Sequence, residues 1–210
     1  MQITTLLVGE LKACCYIVSS ESGSAVVIDP GDEAGLILSA IKNLSVDVKY
    51  ILLTHGHFDH ISAAEEVRKQ TGAKIAATSE TADMTLDPVL NLAKEYAKAS
   101  TSFSCDIVLA DGDEIILDEL TFKMISTPGH SLGGACFIVN NIIFSGDTVF
   151  RRSIGRTDFA GGSQAELMAS LAKLARLEGD YTIYPGHGEE TSLFWEREQN
   201  PFFRRAMRTV

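Results

Sequence analysis

The chain has 210 residues, 45% of them hydrophobic, and a formal charge of −10 at neutral pH. With a mean hydropathy of +0.10 and an isoelectric point near 4.9, it holds enough apolar material for one sizeable core, so a single domain over 1–210 is expected. Its acidity argues against nucleic acid and anionic membranes as partners.

Ile3 to Val8, Cys15 to Val18 and Ala25 to Ile28 are short apolar runs separated by turn residues, the last closing on Asp29-Pro30-Gly31, and they predict three strands. Glu33 to Asn43 carries Ala34, Leu36, Ile37, Leu38 and Ile41 at helical spacing. Val48 to Leu53 is then a continuous apolar strand running into Thr54-His55-Gly56-His57-Phe58-Asp59-His60. Ser62, with Glu65 three residues on, fits a capping box for a helix that ends at Gly72. Lys74 to Ala77 predicts a short strand and Pro88 to Ala99 a helix. Strands are next expected at Ile107 to Leu109, Glu114 to Leu117, Thr121 to Ser126, Ala135 to Val139 and Ile142 to Phe144, with Asn140-Asn141 suited to a tight hairpin. After the glycine-rich Ile154 to Gly162 come a helix from about Ser163 to Leu177, a strand Tyr181 to Tyr184, and a final helical stretch from about Glu189. Two strand-rich blocks, each ending in helices, predict two packed sheets with helices outside, an α+β layered sandwich.

The start Met1-Gln2-Ile3-Thr4 has no basic segment followed by an apolar one, and no run of about 18 apolar residues occurs, so a cytoplasmic protein is expected. Cys14, Cys15, Cys105 and Cys136 lack Cys-x-x-Cys spacing and read as core thiols. Arg151-Arg152 and the tail Arg204, Arg205 and Arg208 are either solvated surface or a reception for acidic substrates. Phe194, Trp195, Phe202 and Phe203 either cover the core or wall a groove or a dimer contact.

Three of the five histidines fall in His55-x-His57-x-Asp59-His60, and His130, Asp147 and His187 each follow an apolar strand. Neutral imidazole and carboxylate are the commonest ligands for zinc, iron and manganese. Loops at the ends of rigid strands are where dispersed donors converge. Five imidazoles and two carboxylates exceed one tetrahedral ion and fit two divalent metal ions, zinc first, with iron or manganese as alternatives. Asp147 is the natural bridge, because a carboxylate spans two cations and an imidazole does not. Asp29 either supports a ligating histidine or simply turns the chain before Pro30-Gly31.

With these seven donors in this order, the chain resembles the metallo-β-lactamase-fold superfamily over nearly its whole length. The resemblance implies an αββα four-layer sandwich, one metal site of His55, His57 and His130, a second of Asp59, His60 and His187, and Asp147 between them. The β-lactamases of the superfamily place a cysteine at the position of Asp147, which disfavours antibiotic hydrolysis. Asp29-Pro30-Gly31, Thr127-Pro128-Gly129-His130-Ser131, Gly155-Arg156-Thr157-Asp158-Phe159 and Tyr184-Pro185-Gly186-His187-Gly188 are similar to glyoxalase II and its compact bacterial relatives. That group hydrolyses glutathione thioesters. The larger members carry a helical C-terminal domain that helps bind glutathione, whereas only Glu189 to Val210 follow His187 here. The resemblance also implies a substrate-facing Arg156, with a structural salt bridge as the other reading.

The expected chemistry is attack by a metal-bridging hydroxide on a thioester such as S-lactoylglutathione. A thiol of pKa about 8.5 departs without prior protonation, which suits a site whose histidines are all committed to metal. Asp59 is first a ligand and then a proton acceptor. The alternative within the superfamily is a persulfide dioxygenase using one iron on His55, His130 and Asp147.

Overall fold

In the computed structural model, residues 1–97 and 102–208 are described. The first block runs β1 (Gln2–Val8), β2 (Ala13–Ser19), β3 (Ser24–Ile28), α1 (Ala34–Leu44), β4 (Asp47–Leu52), α2 (Phe58–Ile61), α3 (Ala64–Thr71), β5 (Lys74–Thr78), α4 (Ser79–Leu86), α5 (Ala93–Tyr96) and β6 (Ile107–Leu109). Its strands form one six-stranded sheet in chain order, antiparallel across β1, β2 and β3 and parallel from β3 to β6. The second block holds β7 (Glu114–Leu117), β8 (Leu120–Ser126), β9 (Ala135–Val139), β10 (Ile142–Gly146), β11 (Val149–Phe150), β12 (Ser153–Ile154), α6 (Gln164–Ala175), β13 (Thr182–Pro185), β14 (Thr191–Ser192), α7 (Leu193–Gln199) and α8 (Pro201–Ala206). Its main sheet has the order β14-β13-β10-β9-β8-β7, while β11 and β12 make a separate two-stranded ribbon.

The period-2 alternation of strand side chains explains the layering. Along β2, Cys14, Tyr16 and Val18 point between the sheets, whereas Ala13, Cys15 and Ile17 point to the opposite face. Along β9, Ala135, Phe137 and Val139 point inward and Cys136 outward. The outer faces are closed by helices: α1 and α3 contribute Ile37, Ile41 and Val67 to one, and α6 and α8 contribute Leu171, Leu174 and Phe203 to the other. Central strands such as β2, β3, β9 and β10 are buried on both faces and read as unbroken apolar runs, whereas β1, β7 and β8 alternate because part of their outward face meets solvent. Phe122, Phe137 and Phe144 are fully buried between the sheets, each stabilising the fold by about 2–3 kcal/mol. This is the layered sandwich that the element pattern predicted, in the αββα form that the resemblance implied.

Topology also gathers the loops. β4 runs parallel to β3, β8 and β10 are both antiparallel to β9, and β13 is parallel to β10. The carboxyl ends of β8, β10 and β13 therefore share one edge of their sheet. The Ala135 N–H donates to the Thr54 carbonyl at 2.8 Å and the Cys14 N–H to the Gly186 carbonyl at 2.7 Å, joining the two sheets at that edge.

Three local expectations are corrected, and one helix is added. Ser62 does not cap α3; its hydroxyl bonds the Phe58 carbonyl at 2.6 Å, and Glu65 pairs with Arg68 and Lys69. The helix expected over Pro88 to Ala99 shrinks to α5, since Asp87 Oδ1 accepts the Val89 N–H at 2.8 Å in a turn and Leu92 takes φ 65°. Residues 98 and 99 of that expectation lie outside the described residues. α4 was not anticipated; its polar stretch is fixed by Thr78, whose hydroxyl accepts the Thr81 N–H, and both hydroxyls donate to the Gly133 carbonyl. The final helical stretch begins as strand β14 and is split at Pro201, where Asn200 caps the second segment by accepting the Phe202 N–H.

Candidate metal centre

Each donor is held at the end of a strand. Asp29 follows β3, the histidine-rich motif follows β4, His130 follows β8, Asp147 follows β10 and His187 follows β13. One donor atom from each of His55, His57 and His130 lies within 4.8 Å of the others, and the same holds for Asp59, His60 and His187. His57 Nδ1 is 2.9 Å from His130 Nε2, and His60 Nε2 is 3.2 Å from His187 Nε2 and 3.6 Å from Asp59 Oδ2. Asp147 stands between the two groups. Its Oδ2 is 3.5 Å from His130 Nε2 and 3.9 Å from His187 Nε2, and its Oδ1 is 3.5 Å from His60 Nε2. All seven predicted donors are thus brought together.

The outward nitrogens of four imidazoles have oxygen partners. His55 Nδ1 is 3.1 Å from Thr54 Oγ1, His60 Nδ1 is 3.0 Å from Asp29 Oδ2, His130 Nδ1 is 2.7 Å from the Arg156 carbonyl and His187 Nδ1 is 3.2 Å from the Leu11 carbonyl. Such partners fix ring orientation and leave the other nitrogen for the centre. Asp29 lies behind His60, where its carboxylate also accepts the Thr54 N–H at 2.8 Å and hydroxyl at 2.5 Å. Sequence reading pointed to neither Thr54 nor the two carbonyls. A carbonyl leaves no residue-type signal, and Thr54 precedes the histidines as an ordinary strand end.

Two buried atoms that face the centre, His55 Nε2 and Asp147 Oδ1, have no hydrogen-bond partner among the described residues. An unsatisfied buried polar atom costs about 1–3 kcal/mol, and a coordinated cation would satisfy both. Two imidazoles sharing one cation at about 2.0–2.1 Å place their nitrogens close to the separations found here. The donor set therefore fits a divalent cation in each half.

Charge points the same way. Burial, and then His60, push His55 well below its ordinary pKa, while burial and His130 bring His57 down to about 3, so both are neutral donors. Burial would also lower His60, yet Asp59, Asp147 and Asp29 push it up to about 10. Burial would raise Asp59, but His60 and His187 hold its carboxyl below the usual carboxylate range. The negative surroundings of His60 call for a positive charge, which a proton or a metal ion can supply.

Glycine is required where the backbone touches the donors. A Cβ on Gly186 would lie 2.1 Å from Asp147 Oδ1, and one on Gly31 would lie 1.7 Å from the Asp59 carbonyl oxygen. At the mouth, the Phe159 ring stands T-shaped to His57 with 5.7 Å between centroids, and the Arg156 guanidinium lies 4.1 Å from the Phe159 centroid. Arg156 binds Asp158 through two bonds of 2.6 Å. Arg151 pairs with Glu189. Of the C-terminal aromatics, Phe203 is buried, while Phe194 and Trp195 are 60% and 42% exposed. The cysteines are free thiols, with Cys14, Cys15 and Cys136 buried.

Two sheets enclosed by helices, with imidazoles and carboxylates converging at one edge, define the class as a metallohydrolase fold with a His/Asp cluster suited to divalent metals. The chain belongs to the metallo-β-lactamase superfamily, whose model matches residues 8–187. It is 32% identical over 211 residues to the hydroxyacylglutathione hydrolase GloC of Haemophilus influenzae, covering 96% of this chain and 98% of that one. Among solved structures, it resembles the BLEG-1 B3 metallo-β-lactamase with a TM-score of 0.91 and 30% identity, over 96% of this chain and 99% of that one. It also resembles TTHA1623 in a di-iron-bound form, with a TM-score of 0.85 and 31% identity over 95% and 99% of the two chains. Among the described residues, no helix is long and apolar enough to cross a membrane.

Proposed function

We propose that residues 1–210 act as one domain that hydrolyses thioesters of small acyl groups, with S-acylglutathione such as S-lactoylglutathione as substrate and two divalent metal ions as cofactor. The observation that carries this reading is the convergence of His55, His57, Asp59, His60, His130, Asp147 and His187, with Asp147 between two donor groups. GloC supports the choice of carrier: it is a relative of matching length whose name specifies hydroxyacylglutathione.

His55, His57 and His130 would hold one cation, Asp59, His60 and His187 the other, and Asp147 both. Such a pair supplies a water of pKa about 7 and a positive charge for the developing oxyanion. The chain does the rest. Thr54, Asp29, Leu11 and the Arg156 carbonyl keep four of the five imidazoles oriented, which limits the reorganisation the reaction would need. Asp59, kept ionised by His60 and His187, is foremost an anionic donor to the centre, and its lowered pKa restricts it to passing a proton on rather than holding one. Phe159 sets an apolar ring beside His57 on that side. A leaving thiol of pKa about 8.5 needs no proton donor, which matches a centre whose five histidines are all engaged.

The test is metal analysis joined to free-thiol release. Two metal ions per chain and thiol release from S-lactoylglutathione are expected. One iron per chain with oxygen uptake on glutathione persulfide would replace this reading by the dioxygenase. Asp147 speaks against β-lactam opening, but the likeness to BLEG-1 speaks for it, so a chromogenic cephalosporin belongs in the same panel. Turnover of it with no thiol release would overturn the thioester assignment.

A further inference from the structure

Arg156 is anchored at one end and free at the other. Its carbonyl accepts from His130 Nδ1 at 2.7 Å, which fixes its backbone to the centre. Its guanidinium lies over the Phe159 ring and grips Asp158, two residues on, through parallel Nε–Oδ1 and Nη2–Oδ2 bonds of 2.6 Å. The two side chains are 59% and 65% exposed. The pair is open to water on both sides and joins near neighbours, so even with two parallel bonds it is screened by solvent and can be exchanged. The guanidinium fork fits any carboxylate, not only that of Asp158. In a chain of net charge −10, an incoming carboxylate needs a local cation, and Arg156 stands one ring away from His57.

We propose that Asp158 is an internal stand-in for a substrate carboxylate: it keeps Arg156 on Phe159 at the mouth of the centre and yields that place to a carboxylate of the thiol carrier. Arg156, Asp158 and Phe159 thereby set specificity for acidic carriers over neutral ones. The exchange swaps one carboxylate for another, so Arg156 stays neutralised and Asp158 passes into water, which its exposure permits. Phe159 keeps the guanidinium from following it, through the attraction between a cation and the ring face. Tyr96, with its ring 6.4 Å from Phe159 and stacked on Phe58, extends the same wall. The identity of the carrier rests on the thioester reading above; the carboxylate exchange does not.

Calorimetric titration of the metal-loaded chain tests it, using S-methylglutathione, an uncleavable thioether with both carboxylates, and its diethyl ester, in which both are blocked. Asp158→Asn is expected to bind S-methylglutathione about threefold to fivefold more tightly, and Arg156→Gln about tenfold more weakly, with the diethyl ester indifferent to both. Asp158→Ser carries the same expectation as Asp158→Asn and guards against a loop disturbed by one substitution. Unchanged or weaker binding of S-methylglutathione by both Asp158 variants, equal shifts for the two ligands, or no binding to any chain would overturn the proposal. Turnover separates the two ideas. If this pattern holds while thioesters stay intact, the hydrolase reading falls and the exchange stands; if thioesters are cleaved without the pattern, the reverse is true.

Discussion

At the scale of single residues, the centre is set by what touches the donors from behind. Gly186 is the sharpest case, since a methyl group there would meet Asp147 Oδ1 at 2.1 Å and His60 Cε1 at 2.8 Å. Gly186→Ala should therefore weaken metal affinity at least tenfold, the scale on which lost support for ligands is felt, as read by competition titration against a chelator. Gly35→Ala in α1, with nothing within 4 Å of the added atom, should leave metal affinity alone and stabilise the helix by about 0.5 kcal/mol. The histidines also fix a pH optimum for the metal-free chain. His57, at about 3 in the fold and about 6.5 when unfolded, takes up a proton on unfolding between those values, so stability falls as pH drops below about 6.5. His60 has the opposite sign. Raised to about 10, it contributes stability in full below about 6.5 and loses it as pH rises toward 10. Denaturant unfolding of the metal-free chain should show greatest stability near pH 6.5. Added divalent metal should move that maximum upward, because the cation replaces the His60 proton. A maximum that metal does not move would show that His60 lies outside the cation site.

At the scale of elements, alternation along β7 separates neighbours of equal hydrophobicity. Ile115 is 7% exposed and packs between the sheets, whereas Ile116 is 65% exposed. Ile115→Ala should cost about 2–5 kcal/mol in denaturant unfolding, and Ile116→Lys should stay within about 0.5 kcal/mol of the parent. Equal costs would mean that the register of β7 differs from Ile115↔Phe122. The helices obey a different logic. α6 begins where Ser163 accepts the Glu166 N–H, a signal present in the chain itself, but α4 depends on a carbonyl contributed by Gly133 from the other half of the molecule.

At the scale of the whole molecule, three largely buried carboxylates, Asp29, Asp59 and Asp147, meet where the sheets join. A ligand that binds only the folded state adds about 2.7 kcal/mol at a hundredfold excess over its Kd. Removing metal with a chelator should accordingly lower the melting temperature in scanning calorimetry, and divalent zinc, iron or manganese should restore it. Equal melting temperatures with and without metal would show that the cluster does not hold a cation.

The donors and the layers were legible in the chain because both are written in local pattern. Unbroken apolar strands mark sheets buried on two faces, and His55-x-His57-x-Asp59-His60, His130, Asp147 and His187 are residue types whose chemistry is visible without coordinates. The supports were not legible. The Leu11 and Arg156 carbonyls exist at every residue, Thr54 is an ordinary strand end, and Asp29 became a partner of His60 only once β3 lay beside β4. The sequence by itself thus determined which donor-type side chains would be gathered and in what fold. Only the tertiary structure decided how each ring is turned and which carboxylate stands behind it, because hydrogen bonds between distant segments depend on strand register, which no single segment carries.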